Sequence, residues 1–200
     1  MKIIFSLIFV LIYLLIYLIN FDYVFYLILS LYAIIFLEIL MYFKKYFIIP
    51  AIYILLSFIF FLSINFNNLN FLSFNLFILT VISFDIFSYL IGKSFGKNQL
   101  IKISPNKTVE GFLGGFILSL IFSIIFILLF NIKMNLNILF FIILIILTAF
   151  IGDIIQSYFK RKNHLKNSSE LIPGHGGVFD RFDSFLFSII FYSIFMKFYF

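Results

Sequence analysis

Residues 157–184 read SYFKRKNHLKNSSELIPGHGGVFDRFDS, and this one stretch gathers Lys160, Arg161, Lys162, Lys166, Glu170, Asp180, Arg181 and Asp183 with both histidines and three of the nine glycines. Charge is scarce elsewhere, because 64% of the chain is hydrophobic and only 11% is charged. The cations suit a polyphosphate, the aspartates suit a divalent metal, and glycines let a backbone approach both. Asp180 and Asp183 are three residues apart, so on a helix they would face one way. Two carboxylates on one face repel each other unless a cation lies between them. Oxygen ligands of this kind suit Mg²⁺, which keeps waters and shares itself with substrate phosphates. Asp183 taken alone has a simpler role as the cap of the following helix. His175 is either a phosphate donor or a turn residue, and Arg181 either an ion-pair strut or a substrate clamp.

Asp153 and Ser157 are four residues apart, on one face of a helix that leaves the apolar run 140–151. Lys160 and Arg161 follow one turn later. Snorkelling at a membrane exit explains the cations but not Asp153. A second polar stretch, 92–111, reads GKSFGKNQLIKISPNKTVEG. Ser104–Pro105–Asn106 has turn chemistry, and Asn106 or Thr108 is placed to cap a helix beginning near Val109. Glu110 then falls in the first turn, where the helix dipole favours an acid. Lys107 stands beside the same helix start, a natural place for a phosphate, although a solvated basic loop would look alike. Gly111, Gly114 and Gly115 permit close helix contact.

These groups must be positioned by elements that live in a membrane. A mean hydropathy of +1.22 and 23% aromatic residues exclude an ordinary soluble domain. Repeated apolar runs have the length, about 20 residues, that a spanning helix needs. The expected fold class is an all-α polytopic integral membrane protein of about seven helices, at 3–19, 24–43, 46–66, 71–91, 112–132, 136–155 and 185–198. We expect one membrane-embedded domain over 1–200, with N-terminal spans in 1–70 and catalytic spans in 71–200 carrying the loops 92–111 and 156–184. The first apolar run lacks a small-residue cleavage site and reads as a retained span. The chain has no cysteine, which excludes disulfides, thiolate catalysis and Cys-ligated metals. Seven spans alternate sides. With the N-terminus cytoplasmic, only Lys133 and Lys197 of the fourteen Lys and Arg face the other way, a strong positive-inside asymmetry. The net charge of +6 therefore reports topology, not nucleic-acid binding. The same alternation puts Asp85, Glu110, Asp153, Asp180 and Asp183 on the cytoplasmic side, where they are expected to converge on one polar cavity.

The stretch 157–184 closely resembles the signature of the phosphatidate cytidylyltransferases, or CDP-diacylglycerol synthases. Ser157, Phe159, Lys160, Arg161, Lys166, Ser169, Ile172, Pro173, His175, Gly176, Gly177, Val178, Asp180, Arg181, Phe182 and Asp183 match its pattern. ISPNKTVEGFLGG at 103–115 is similar to the family's Ser-Pro-Lys-Lys-Thr-x-Glu-Gly segment, and 85–97 to its Asp-x-x-x-Tyr…Gly-x-x-x-Gly-Lys region. There are departures. Asn167 stands where the family has Asp, Gln156 where it has Glu, and Asn106 where it has Lys; the chain is also shorter than typical members. The resemblance implies transfer of the cytidylyl group of CTP to phosphatidic acid, giving CDP-diacylglycerol and pyrophosphate. It implies Mg²⁺ on Asp153, Asp180 and Asp183, with a second cation left open. Lys160, Arg161 and Lys166 would join those aspartates in catalysis. Lys107, Ser157, His175, Gly176, Gly177 and Arg181 would bind substrate. Partners would be CTP, phosphatidic acid, membrane lipid and a second copy of the chain, with no nucleic acid. The place would be the bacterial cytoplasmic membrane, with the N-terminus and active site cytoplasmic. Two alternatives are another CTP-using lipid or polyprenol transferase or kinase, and a non-catalytic membrane protein.

Overall fold

A computed structural model describes residues 11–13, 15–64, 71–171 and 176–199. Residues 11–13 and 15–19 are helical, and most of the expected span 3–19 lies outside the described residues. Among the described residues six further helices follow: α1 (Asp22–Tyr42), α2 (Ile48–Leu62), α3 (Phe71–Phe95), α4 (Val109–Leu129), α5 (Leu136–Lys162) and α6 (Asp183–Tyr199). By length and composition α1, α3, α4 and α5 can cross a membrane, while α2 is a shorter apolar helix of 15 residues. The chain is mostly helical, as its composition requires.

Several boundaries move. α3 runs four residues beyond the expected 91, and α5 continues seven beyond 155, so Ser157, Lys160 and Arg161 are helical and not loop residues. α4 starts at Val109 because the Thr108 hydroxyl accepts the Gly111 N–H at 3.1 Å; of the two candidate caps, Thr108 is the one used.

Residues 104–106 do not form the expected turn. They belong to β2 (Ser104–Thr108), which pairs antiparallel with β1 (Gln99–Ile101), and the reversal falls at Lys102–Ile103. A two-stranded ribbon consists of edges only, so Pro105 can sit in it with no N–H to donate. A small hairpin is thereby added to the helical architecture.

The helices pack by shape and by small polar groups, since lipid offers no hydrophobic gain between apolar helices. α3 and α4 lie almost in contact. A Cβ on Gly115 would sit 2.8 Å from Ser88 Cα, and one on Gly111 2.9 Å from Gly92 Cα. Tyr32 donates to Ser57 Oγ at 2.6 Å, and that hydroxyl donates to the Leu186 carbonyl at 2.6 Å, tying α1, α2 and α6. Thr80 Oγ1 and Ser123 Oγ meet at 2.9 Å between α3 and α4. Phe74 and Phe77 are fully buried against Tyr192 of α6, with the Phe77 and Tyr192 ring centroids 4.7 Å apart.

Candidate active site

The polar groups gather where the C-terminal ends of α1, α3 and α5 meet the hairpin and the N-terminal ends of α4 and α6. Gly152 makes the closest joint. A Cβ there would lie 2.7 Å from the Asp183 carbonyl oxygen, so only glycine lets α5 close onto the start of α6. That approach carries the neighbouring Asp153 toward Asp183. From α3, Asp85 reaches the same place, where its Oδ1 accepts the Ser184 hydroxyl at 2.7 Å. Asp85, Asp153 and Asp183 are half-buried and within electrostatic reach of one another, with Lys107 and Lys160 as the cations that face them. Lys107 comes from β2 and pairs with Asp153 at 2.8 Å. Asp183 also has an end-of-helix role: its Oδ1 accepts the Ser184 N–H at 2.9 Å.

Asp180 is held differently. Phe179–Arg181 is a 3₁₀ turn and α6 begins only at Asp183, so the helical i, i+3 geometry that would align Asp180 with Asp183 does not apply. Lys160 Nζ donates to Asp180 Oδ1 at 2.6 Å. Its Oδ2 accepts the Ser168 N–H at 2.8 Å, the Ser168 hydroxyl at 2.9 Å and the Gly177 N–H at 3.2 Å. Burial opposes the ionised carboxyl, but the Lys160 ammonium and these donors outweigh it and hold Asp180 below the usual carboxylate value.

The remaining expected residues scatter around this frame. Arg161 donates to the Leu165 carbonyl at 3.1 Å and points at the Ile103 carbonyl at 3.5 Å, so it fastens the end of α5 to the hairpin. Ser157 is buried on α5, and Lys166 and Asn167 are exposed. His175 lies outside the described residues. Gly176 has φ +83, the left-handed region that favours glycine, and a side chain there would meet Asp180. Gly177 backs onto the Glu38 carboxyl, which a Cβ would overlap. Both glycines are thus closely approached by the protein's own carboxyls. Arg181 is half-buried and lines a cavity of about 140 Å³ together with Asp85 and apolar residues of α1, α3 and α6. Glu110 does not join the cluster. It accepts the Lys97 N–H at 3.1 Å and the Asn98 side-chain amide at 2.8 Å, which pins the base of the hairpin.

Sequence reasoning expected Asp85 in the polar cavity but named it as neither a catalytic residue nor a metal ligand, and it gave no such role to Ser184, Gln156 or Glu38. Single acids inside apolar spans were the available signal for Asp85 and Glu38, since a charge there is costly without a purpose. Gln156 is fully buried, and its amide N–H donates to the Phe179 carbonyl, a bond that an ionised Glu could not make.

Among the described residues no three acids or histidines stand close enough to form a ready-made metal cage. The donor chemistry still separates the candidates. Asp180 has both oxygens engaged by Lys160, Ser168 and Gly177, whereas Asp85, Asp153 and Asp183 lie within electrostatic reach of one another and each engages one oxygen, with the Ser184 hydroxyl, Lys107 and the Ser184 N–H respectively. These three fit a hard divalent cation better than the set containing Asp180.

A family model described as "Cytidylyltransferase family" matches residues 1–199. The chain is 36% identical over 147 residues to a phosphatidate cytidylyltransferase of Bacillus subtilis, covering 70% of this chain and 53% of that one. It is 37% identical over 110 residues to the protein of the same name from Helicobacter pylori, covering 55% and 41%. With that of Staphylococcus saprophyticus it shares 42% identity over 106 residues, covering 52% and 40%. The chain spans about half the length, or less, of the curated relatives it matches.

Proposed function

We infer, from the premise that the chain belongs to the cytidylyltransferase family, that it makes CDP-diacylglycerol and pyrophosphate from CTP and phosphatidic acid. The observation that carries this reading is that Asp85, Asp153 and Asp183 lie within electrostatic reach of one another and of Lys107, with Asp85 also lining an apolar-walled cavity beside Arg181. A lipid phosphate has its charge in water and its tails in hydrocarbon. Arg181 and Asp85 at one part of the cavity lining and the apolar walls elsewhere offer it both environments.

The lipid phosphate oxygen attacks the α-phosphorus of CTP in line. A new P–O bond forms, the bond to the β-phosphate breaks, and pyrophosphate leaves with the electron pair. The nucleophile is already anionic, so the obstacle is repulsion between two polyanions, and fixed cations lower it. Lys107 would hold phosphate oxygens, with Arg181 at the lipid side, while Lys160, already fixed on Asp180, adds positive potential beside the cluster. Asp85, Asp153 and Asp183 would hold Mg²⁺, which when bound neutralises phosphate charge and leaving-group charge. Asp180 keeps Lys160 extended toward the cluster.

We place this site on the cytoplasmic face of a seven-span bundle in the bacterial cytoplasmic membrane. The supports are the one-sided distribution of Lys and Arg and the fact that CTP is a cytosolic substrate. The test is transfer of labelled cytidine from CTP into lipid by membranes containing the protein and phosphatidic acid, with and without Mg²⁺, beside Asp183→Ala. Mg²⁺-dependent product that is lost in the variant is expected. Folded protein that yields no CDP-lipid would overturn the reading.

A further inference from the structure

The signature loop is gripped from a helix outside the signature. Glu38 lies on α1 and is 1% exposed. Its Oε2 accepts the Phe179 N–H at 3.0 Å, across 141 residues of chain. The Phe179 carbonyl is taken by the Gln156 amide from α5, so both peptide groups of one residue are held by buried side chains from two helices. The Phe179 ring is fully buried and meets Phe43, next to the end of α1, edge-on at 5.9 Å. Gly177 packs on the same Glu38 carboxyl, with room for no side chain between them. The Gly177 N–H and Ser168 then hold Asp180, and Asp180 holds Lys160.

A carboxyl is an expensive group to keep in an apolar helix. Its use here is to accept a buried peptide N–H that would otherwise lack a partner. We propose that Glu38 is a positioning residue: as a hydrogen-bond acceptor on α1 it sets the 176–180 segment, and through Asp180 it sets Lys160. For its effect on turnover this rests on the cytidylyltransferase reading above; for its effect on the loop it does not.

The chain has no cysteine, so Val178→Cys places a single thiol beside Phe179. Maleimide labelling of that thiol reports loop opening in the full-length protein, in parallel with kcat and KM for CTP and with thermal unfolding. Glu38→Gln keeps an acceptor of the same shape and is expected to label within about threefold of its parent, whereas Glu38→Leu strands the Phe179 N–H and should label about tenfold faster or more. In the Leu variant kcat should fall more than KM rises. Unchanged labelling in Glu38→Leu overturns the proposal, and so does a Gln variant as impaired as the Leu variant. If Glu38→Leu does not fold, Gly177→Ala carries the test. Its methyl is driven into the Glu38 carboxyl, so faster labelling is expected and an unchanged rate overturns the proposal. If the parent transfers no cytidine, the functional reading fails, and the labelling arm still decides the role of Glu38.

Discussion

Two lysine–aspartate pairs flank the site, and they are built differently. Lys160 and Asp180 meet at 2.6 Å with side chains 14% and 10% exposed, and Asp180 takes three more hydrogen bonds from Ser168 and Gly177. Lys107 and Asp153 meet at 2.8 Å, but Asp153 is 32% exposed and has Asp85 and Asp183 in electrostatic reach. The first pair is a closed structural joint. The second has further carboxyls around it and a partner that is a third exposed, so a cation could take the lysine's place beside Asp153 and release the lysine to a phosphate. Similar distances thus conceal different surroundings: one pair is closed by further hydrogen bonds, and the other is left partly open.

The sharpest break of this comparison is to neutralise the open pair. Asp153→Asn or Asp183→Asn should lower cytidylyl transfer by roughly 10²-fold or more, with little change in thermal unfolding in detergent. Asp180→Asn should instead act first on the fold. Removing one partner of a buried pair costs about 3–5 kcal/mol, visible as a large drop in melting temperature. Equal melting losses for Asp153→Asn and Asp180→Asn would erase the distinction.

Next in size is Gly115→Ala, which drives a methyl against the Ser88 backbone and should cost about 1–3 kcal/mol without altering metal dependence. Acid sharpens the contrast further. The Asp180 carboxyl is held below its ordinary value, so its contribution is fully present above the unfolded carboxylate value of about 4 and is lost as pH falls through the folded one. Melting temperature should therefore decline below about pH 4 in the parent, with a shallower slope in Asp180→Asn. The smallest effect is expected from Lys107→Gln: less than about 1 kcal/mol of stability for a pair with a third-exposed partner, beside a raised KM for CTP.

Much of the frame was legible in the sequence. Apolar run length marked the helices, Asn106 or Thr108 was readable as a cap for a helix starting near Val109, and Gly111, Gly114 and Gly115 signalled a close helix contact whose partner proved to be α3. The signature residues were readable as a set. Which of them share a place was not. Ser104–Pro105–Asn106 carries turn chemistry, yet pairing with β1 moved the reversal to Lys102–Ile103. Asp180 and Asp183 look equivalent by spacing, and a 3₁₀ turn separates their roles.

Sequence alone determined that this chain lives in a membrane, where its scarce charge is concentrated, and which residue types are available for phosphate and metal. Those follow from hydropathy and local periodicity, which a single segment expresses by itself. Only the tertiary structure decided that Asp180 is held apart from Asp85, Asp153 and Asp183, that Gly152 brings two helices together, and that Glu38 on α1 holds Phe179. Such choices depend on contacts between residues as far as 141 positions apart. A buried donor accepts whichever partner the packing delivers, so no local pattern encodes them.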